Sequence, residues 1–211
     1  MEQILNYFIE PYQQYAFYQI LIEEIAVFLG VVSVLLAKKN HIGVFYTGIV
    51  NSALYAYLLF EWGLYGDMLI SAYYVIMSFY GWYVWSQKNK QHQDLLVIQT
   101  MNTHEKKMSG LIFFISVIFV FLVYHYFGKL SFWWAYIDTL ITGLFFVGMW
   151  LLSKRKIENW LFFLVGNILA IPLFVIKGFA LTGFLYLFLS VVALLGYQSW
   201  KKQLPQPKPK N

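Results

Sequence analysis

The sequence has no cysteine and little charge: Asp, Glu, Lys and Arg make up 12% of its 211 residues. A soluble domain carries about 25% charged residues, and half that number cannot clothe a globule in water-binding groups. A soluble enzyme is therefore excluded. With 60% hydrophobic residues, so is a disordered chain. Without cysteine there is no disulfide, no thiolate nucleophile, no Cys-ligated zinc and no iron–sulfur cluster. There is no GxxxxGK[ST] loop to bind ATP and no GxGxxG turn for a dinucleotide. The four histidines, His41, His92, His104 and His125, have no metal-ligand spacing. No catalytic residue, metal site or cofactor is expected.

What the chain has is long apolar runs. Seven can be read, at about 20–37, 43–60, 68–86, 110–127, 135–153, 157–176 and 180–200. Each is near the ~20 residues a helix needs to cross ~30 Å of hydrocarbon at 1.5 Å per residue. A membrane β-barrel would show alternating segments of about ten residues instead. The expected fold is all-α and integral to the membrane, with seven transmembrane helices. Residues 1–19 carry no Lys or Arg and are broken by Pro11, so they read as an interfacial segment rather than a signal peptide.

The basic residues orient the spans. Lys38, Lys39, Lys88, Lys90, Lys106, Lys107, Lys154, Arg155 and Lys156 follow odd-numbered spans, and Lys201, Lys202, Lys208 and Lys210 lie in the tail. Only Lys129 and Lys177 fall on the other side. Positive charge stays cytoplasmic, so the N-terminus is expected outside and the C-terminus inside. The net charge of +5 is thus a topological signal and does not indicate nucleic acid. Seven of the ten acids (Glu2, Glu10, Glu23, Glu24, Glu61, Asp67 and Asp138) take the outer side. They either fill the face that lysine avoids or form a vestibule that concentrates a cation.

The first three spans match the last three. Leu35–Lys39 aligns with Leu151–Arg155, and Asn51 with Asn167, at an offset of 116; Gly63, Gly81 and Trp85 align with Gly178, Gly196 and Trp200 at 115. One span lies between the triplets, so both enter from the same side and the repeat is parallel. The segments read as 1–19 interfacial, 20–86 first repeat, 87–134 cytoplasmic loop plus linker helix, 135–200 second repeat and 201–211 cytoplasmic tail. The loop 87–109 reads as a solvated connector. Duplicated units around a linker suggest a transporter with its site between the halves.

Asn51 and Asn167 lie mid-span, where an amide without a partner costs a few kcal/mol. Trp160, Phe163 and Asn167 fall on one helix face. That face suits a planar heteroaromatic solute, with rings to stack and an amide to hydrogen-bond; helix–helix packing is the competing reading. Pro172 follows on the same span. Asp138 opens the fifth span after Trp133, Trp134 and Tyr136, and Ser71, Tyr73 and Tyr74 lie in the third. Trp62, Trp82, Trp85, Trp133, Trp134 and Trp200 read mostly as an interfacial belt.

Tyr80-Gly81-Trp82-Tyr83-x-Trp85, the segment Asp138–Lys154, and Glu158-Asn159-Trp160-x-x-Phe163-x-x-x-Asn167 resemble the PnuC family of vitamin transporters over about residues 20–200. The family hallmark on the sixth span is W-x-x-W-x-x-x-N. Trp160 and Asn167 match its ends, and Phe163 replaces the middle Trp. Asn51 and Asp138 fit the family pattern, while Ser71 aligns with a pocket Gln. The resemblance implies a 3+1+3 arrangement similar to that of SWEET carriers, a homotrimer, and facilitated diffusion. It also implies trapping of the vitamin by a cytoplasmic kinase in a bacterium's inner membrane. It implies a substrate site of Trp160, Phe163, Asn167, Asn51, Asp138 and Ser71 for a small cationic aromatic vitamin. Nicotinamide riboside and thiamine both qualify. Outside the family, a membrane enzyme acting on lipid would need clustered His or Asp residues, and a retinal-type receptor a Lys in 180–200; neither is present.

Overall fold

In a computed structural model the described residues are 15–89, 94–128, 130, 133–176 and 180–205. They form seven helices: α1 Phe17–Lys38, α2 Gly43–Glu61, α3 Tyr65–Trp85, α4 Thr103–Tyr126, α5 Trp134–Ser153, α6 Asn159–Ile176 and α7 Ala180–Lys202. Six are long and apolar enough to cross a membrane. The exception is α3, whose 21 residues carry Asp67, Ser71, Ser78 and several tyrosines. Most of the expected 1–19 segment, and Gly178, lie outside the described residues.

The helices start and stop for local reasons. α4 begins at Thr103, earlier than the apolar run at 110, because a capping box completes its polar first turn. The Asn102 side chain accepts from the Glu105 N–H at 2.8 Å, and Glu105 accepts from the Asn102 N–H at 2.9 Å. α1 and α5 end alike. Asn40 (φ 55°) and Arg155 (φ 52°) both turn left-handed. The N–H groups of His41 and Lys156 then close back onto Leu36 and Leu151 at 3.0 and 2.9 Å.

Neighbours in sequence pack side by side: α1 on α2, α2 on α3, α5 on α6, α6 on α7. Two further contacts, α1 with α7 and α3 with α5, close these six helices into a ring, while α4 lies outside against α5. α5, touching α3, α4 and α6, is the most enclosed span.

At the end bearing the basic loops, one core joins both triplets: Ala37, Val44, Phe45 and Trp85 meet Met149, Leu152, Ile157, Trp160, Ala193 and Trp200. The packing there recurs at one spacing. Gly81 leaves room for the Phe45 ring, whose nearest carbon would stand 2.2 Å from an added Cβ; Gly196 does the same for Trp160, at 2.6 Å. Phe45 meets Trp85 edge-on at 4.9 Å, and Trp160 meets Trp200 edge-on at 5.7 Å. Trp85 and Trp200 are thus buried, at 2% and 0% exposure, and do not belong to an interfacial belt. Composition cannot separate a Trp at a span end that faces headgroups from one that faces a partner helix.

The inner loop also departs from a solvated connector. Ile98 is buried in the shared core, and Gln99 pairs with the α5–α6 turn through Gln99 N–H to Arg155 carbonyl at 3.1 Å and Ile157 N–H to Gln99 carbonyl at 3.0 Å. Arg155 stacks on Trp85 at 4.1 Å and bonds Asp94 at 2.9 Å and the Leu96 carbonyl. Lys156 pairs with Glu105 at 3.0 Å, and Glu158 accepts from the Met101 N–H at 2.9 Å. The polar run holds the basic end of the bundle as a strap.

Candidate solute-binding site

Between the triplets lies a cavity of about 620 Å³, within the range of small-molecule sites. Its lining runs from Glu23, Leu59, Asp67 and Phe174 near one end of the bundle to Ala37, Val44 and Leu152 at the other. Those last three residues belong to the shared core, so tightly packed aromatic side chains floor the cavity at the basic end.

Trp160, Phe163, Asn167 and Asn51 all line it. The local sequence explains why. On α6, Trp160, Phe163 and Asn167 share a face, and small residues opposite let that face approach. Gly196 receives the Trp160 indole, and Gly148 receives the Phe163 ring, whose nearest carbon would stand 2.8 Å from an added Cβ. Phe145, Phe174 and Tyr186 continue the ring-lined wall; Phe145 and Tyr186 stack at 6.1 Å, and Phe174 meets Tyr186 at 5.1 Å. Pro172 sits inside α6, which continues to Ile176.

The two asparagines differ. Asn51 Nδ2 donates to the Ala26 carbonyl at 2.6 Å and rests against Gly30, tying α2 to α1. Asn167 is largely buried, at 5% exposure, and its side chain makes no hydrogen bond to any described residue. Two turns earlier on α6, the buried Trp160 Nε1 has no partner among the described residues either. Because Asn167 lines the cavity, its amide is open to a ligand able to bond it.

Asp138 and Ser71 are not among the lining residues. Asp138 joins a cluster at the acidic end, where the Tyr124 hydroxyl lies 3.2 Å from Asp138 and 3.3 Å from Asp67. The serine of α3 that lines the cavity is Ser78, two turns beyond Ser71 on the same helix face. Sequence reasoning missed Ser33, Gly48, Ser52 and Ser78, which line the α1–α3 side. Gly48 and Ser52, four residues apart, were the available signal. No group of three or more His, Cys, Asp or Glu placed to hold a metal occurs among the described residues.

Comparison with known proteins follows the same outline. A family model described as nicotinamide mononucleotide transporter matches residues 20–202. The chain is 25% identical over 206 residues to the nicotinamide riboside transporter PnuC of Escherichia coli (strain K12), covering 85% of this chain and 84% of the relative. The same figures hold for the protein of that name from Shigella flexneri. The fold resembles the crystal structure of the vitamin B3 transporter PnuC with a TM-score of 0.66 at 20% identity, over 86% of this chain and 81% of that one. These relatives are transporters rather than enzymes, and the matched region takes in almost the whole helical bundle: the chain belongs to the nicotinamide mononucleotide transporter family.

Proposed function

We propose that the protein imports nicotinamide riboside by facilitated diffusion and binds it in the cavity between the two helical triplets. The observation that carries this reading is the Asn167 amide, unbonded among the described residues on a cavity wall of aromatic rings. The nicotinamide group is a planar cation bearing a carboxamide. The rings can stack on it and attract its charge, and an asparagine side chain matches a carboxamide donor for acceptor. Glu23 and Asp67 on the same lining add negative charge along the cavity. The names of the relatives point to the same solute.

The proposed architecture is three helices, a linker helix and three helices, with the triplets related by an axis along the membrane normal and α3 spanning like the rest. It draws support from the matched spacings and from the paired left-handed turns at Asn40 and Arg155. The unequal distribution of lysine supports a multi-pass protein of a bacterial inner membrane, with the N-terminus outside and the C-terminus in the cytoplasm. The segment boundaries are those of the sequence reading, with the linker helix begun at Thr103. Homotrimer assembly and trapping of the vitamin by a cytoplasmic kinase complete the proposal. Of the residues expected in the site, Trp160, Phe163, Asn167 and Asn51 take contact roles. Asp138 is assigned to the acidic cluster, and Ser78 replaces Ser71.

Uptake into liposomes tests the reading. Purified protein should equilibrate nicotinamide riboside down its gradient without ATP. Equilibration of thiamine in preference to the riboside would move the assignment to thiamine, and accumulation above the outside concentration without a kinase or an ion gradient would refute facilitated diffusion.

A further inference from the structure

Two seams join the triplets, α3 against α5 and α1 against α7, and they are built differently. All four helices begin at the acidic end. The α3–α5 seam is tied along its whole length. At the basic end Trp85 Nε1 donates to the Ser153 carbonyl at 3.0 Å. Midway, the Tyr73 hydroxyl donates to the Phe146 carbonyl at 2.9 Å, and its ring stacks on Phe146 at 3.8 Å. At the acidic end the Tyr124 hydroxyl of α4 lies 3.3 Å from Asp67 of α3 and 3.2 Å from Asp138 of α5. There Val120, Tyr124 and Ala135 also pack with Ile70 of α3. α4 thus clamps α3 to α5. Among the described residues, the α1–α7 seam is tied only at the basic end. Trp200 Nε1 donates to the Ala37 carbonyl at 2.9 Å, and Asn40 Nδ2 donates to Gln203 Oε1 at 3.5 Å just beyond the helices. From there to the acidic end no hydrogen bond, ion pair or ring contact joins α1 to α7 among the described residues. No α1 residue enters the buried clusters of the acidic half. Along this stretch Glu23, Val27 and Val31 of α1 and Leu185, Tyr186 and Leu189 of α7 line the cavity.

We propose that the solute enters between α1 and α7, which part at the acidic end, while the α3–α5 seam clamped by α4 serves as the hinge and the basic end stays shut. The proposal rests on the carrier reading above and assigns its moving part. A protein opens first where buried apolar contacts and bonds are fewest. Opening α3 from α5 would strip polar ties in hydrocarbon, where no water replaces them. Parting α1 from α7 at the acidic end breaks no such tie among the described residues, and the side chains that separate already border a cavity. Glu23 stands on this seam, where its carboxylate attracts an entering cation. A planar ring is about 3.5–4 Å thick at van der Waals contact, so the seam must widen by that much. The linker helix occurs once and packs on one seam only, so the motion is a one-sided swing about α3–α5 and α4.

Because the chain has no cysteine, pairs of nitroxide labels can be placed on the full-length protein in lipid nanodiscs. Dilution with unlabelled protein leaves only distances within one chain to be read by pulsed electron resonance. Leu21→Cys with Phe184→Cys reports on α1–α7, and Leu69→Cys with Leu140→Cys on α3–α5. All four side chains are exposed, and each lies in the second turn of its helix. Distances are measured without solute and with saturating nicotinamide riboside. The α1–α7 distance should change by about 4 Å or more, the thickness of a ring, and the α3–α5 distance should hold within about 2 Å. A change at α3–α5 as large as that at α1–α7, or no change at either in protein that takes up the riboside, overturns the hinge. Where a labelled pair fails to fold, Ile25→Cys with Leu187→Cys and Leu69→Cys with Tyr136→Cys, also exposed, take their places. Failure of the unaltered protein to bind the riboside overturns the carrier reading. The solute-free distributions then decide the seam: a broader spread at α1–α7 supports the hinge, and an equal or broader spread at α3–α5 overturns it.

Discussion

The Trp85 indole N–H donates to the Ser153 carbonyl at 3.0 Å, across from one triplet to the other. Trp200 returns the bond, donating to the Ala37 carbonyl at 2.9 Å. In both cases the acceptor stands near the C-terminal end of a triplet's first helix, but the Ala37 carbonyl also accepts from the Asn40 N–H at 2.9 Å. The two bonds lie under the cavity floor and join the halves at the basic end.

Trp85→Phe should therefore destabilise the protein by about 1–3 kcal/mol, the cost of a buried carbonyl left without its donor, and Trp200→Phe by less, because the Ala37 carbonyl keeps the Asn40 N–H. Trp85→Phe should lower the unfolding temperature in detergent more than Trp200→Phe does. If Trp85→Phe melts as the unaltered protein does, its bond to Ser153 is not a tie between the halves.

Gly81→Ala and Gly196→Ala both force a methyl into an aromatic ring, and overpacking of this kind costs about 1–3 kcal/mol. Their effects on binding should separate. The ring displaced by Gly196→Ala is Trp160, which lines the cavity, whereas Phe45 does not. Gly196→Ala should weaken nicotinamide riboside binding several-fold, and Gly81→Ala should change it much less. Fluorescence titration of the two variants checks this order.

The strap makes a prediction of unequal partners. Arg155 is buried, at 4% exposure, while Asp94 is half-exposed, at 47%. Asp94→Asn removes an ion pair screened by water, worth about 1 kcal/mol or less. Arg155→Gln also removes the stack on Trp85 and the bond to the Leu96 carbonyl. Arg155→Gln should lower the unfolding temperature clearly more than Asp94→Asn. The reverse order would show that the strap is held by its other contacts.

Much of this was legible in the sequence, for a physical reason. Crossing hydrocarbon demands continuous apolar runs, and all seven helices lie on the runs read from the chain. The face of Trp160, Phe163 and Asn167 follows from helical periodicity alone. What stayed hidden depends on pairing between distant residues. Nothing near Asp94 announces Arg155, and nothing near Trp85 announces the Ser153 carbonyl. Ser71 and Ser78 lie on the same face of α3, so periodicity could not say which of them reaches the cavity. Asn51 and Asn167 look alike in the sequence, yet among the described residues only Asn51 is bonded to a neighbouring helix.

Phe163 tests how the cavity chooses among vitamins. Phe163→Trp restores the second indole of the motif W-x-x-W-x-x-x-N and adds an N–H donor at the cavity wall. Competition binding should show a changed order of preference among nicotinamide riboside, thiamine and riboflavin. A change in stability with the same preference would place the Phe163 edge outside the solute's reach.

The central claim is that the unbonded Asn167 amide is reserved for the solute, and Asn167→Leu tests it most directly when affinity and stability are read on the same sample. The account predicts that nicotinamide riboside binds about 5- to 150-fold more weakly, while the unfolding temperature of the solute-free protein holds or rises, because no protein bond is lost. Unchanged affinity in a folded Asn167→Leu protein, or a large loss of stability without solute, would contradict the account and make this amide a tie between helices.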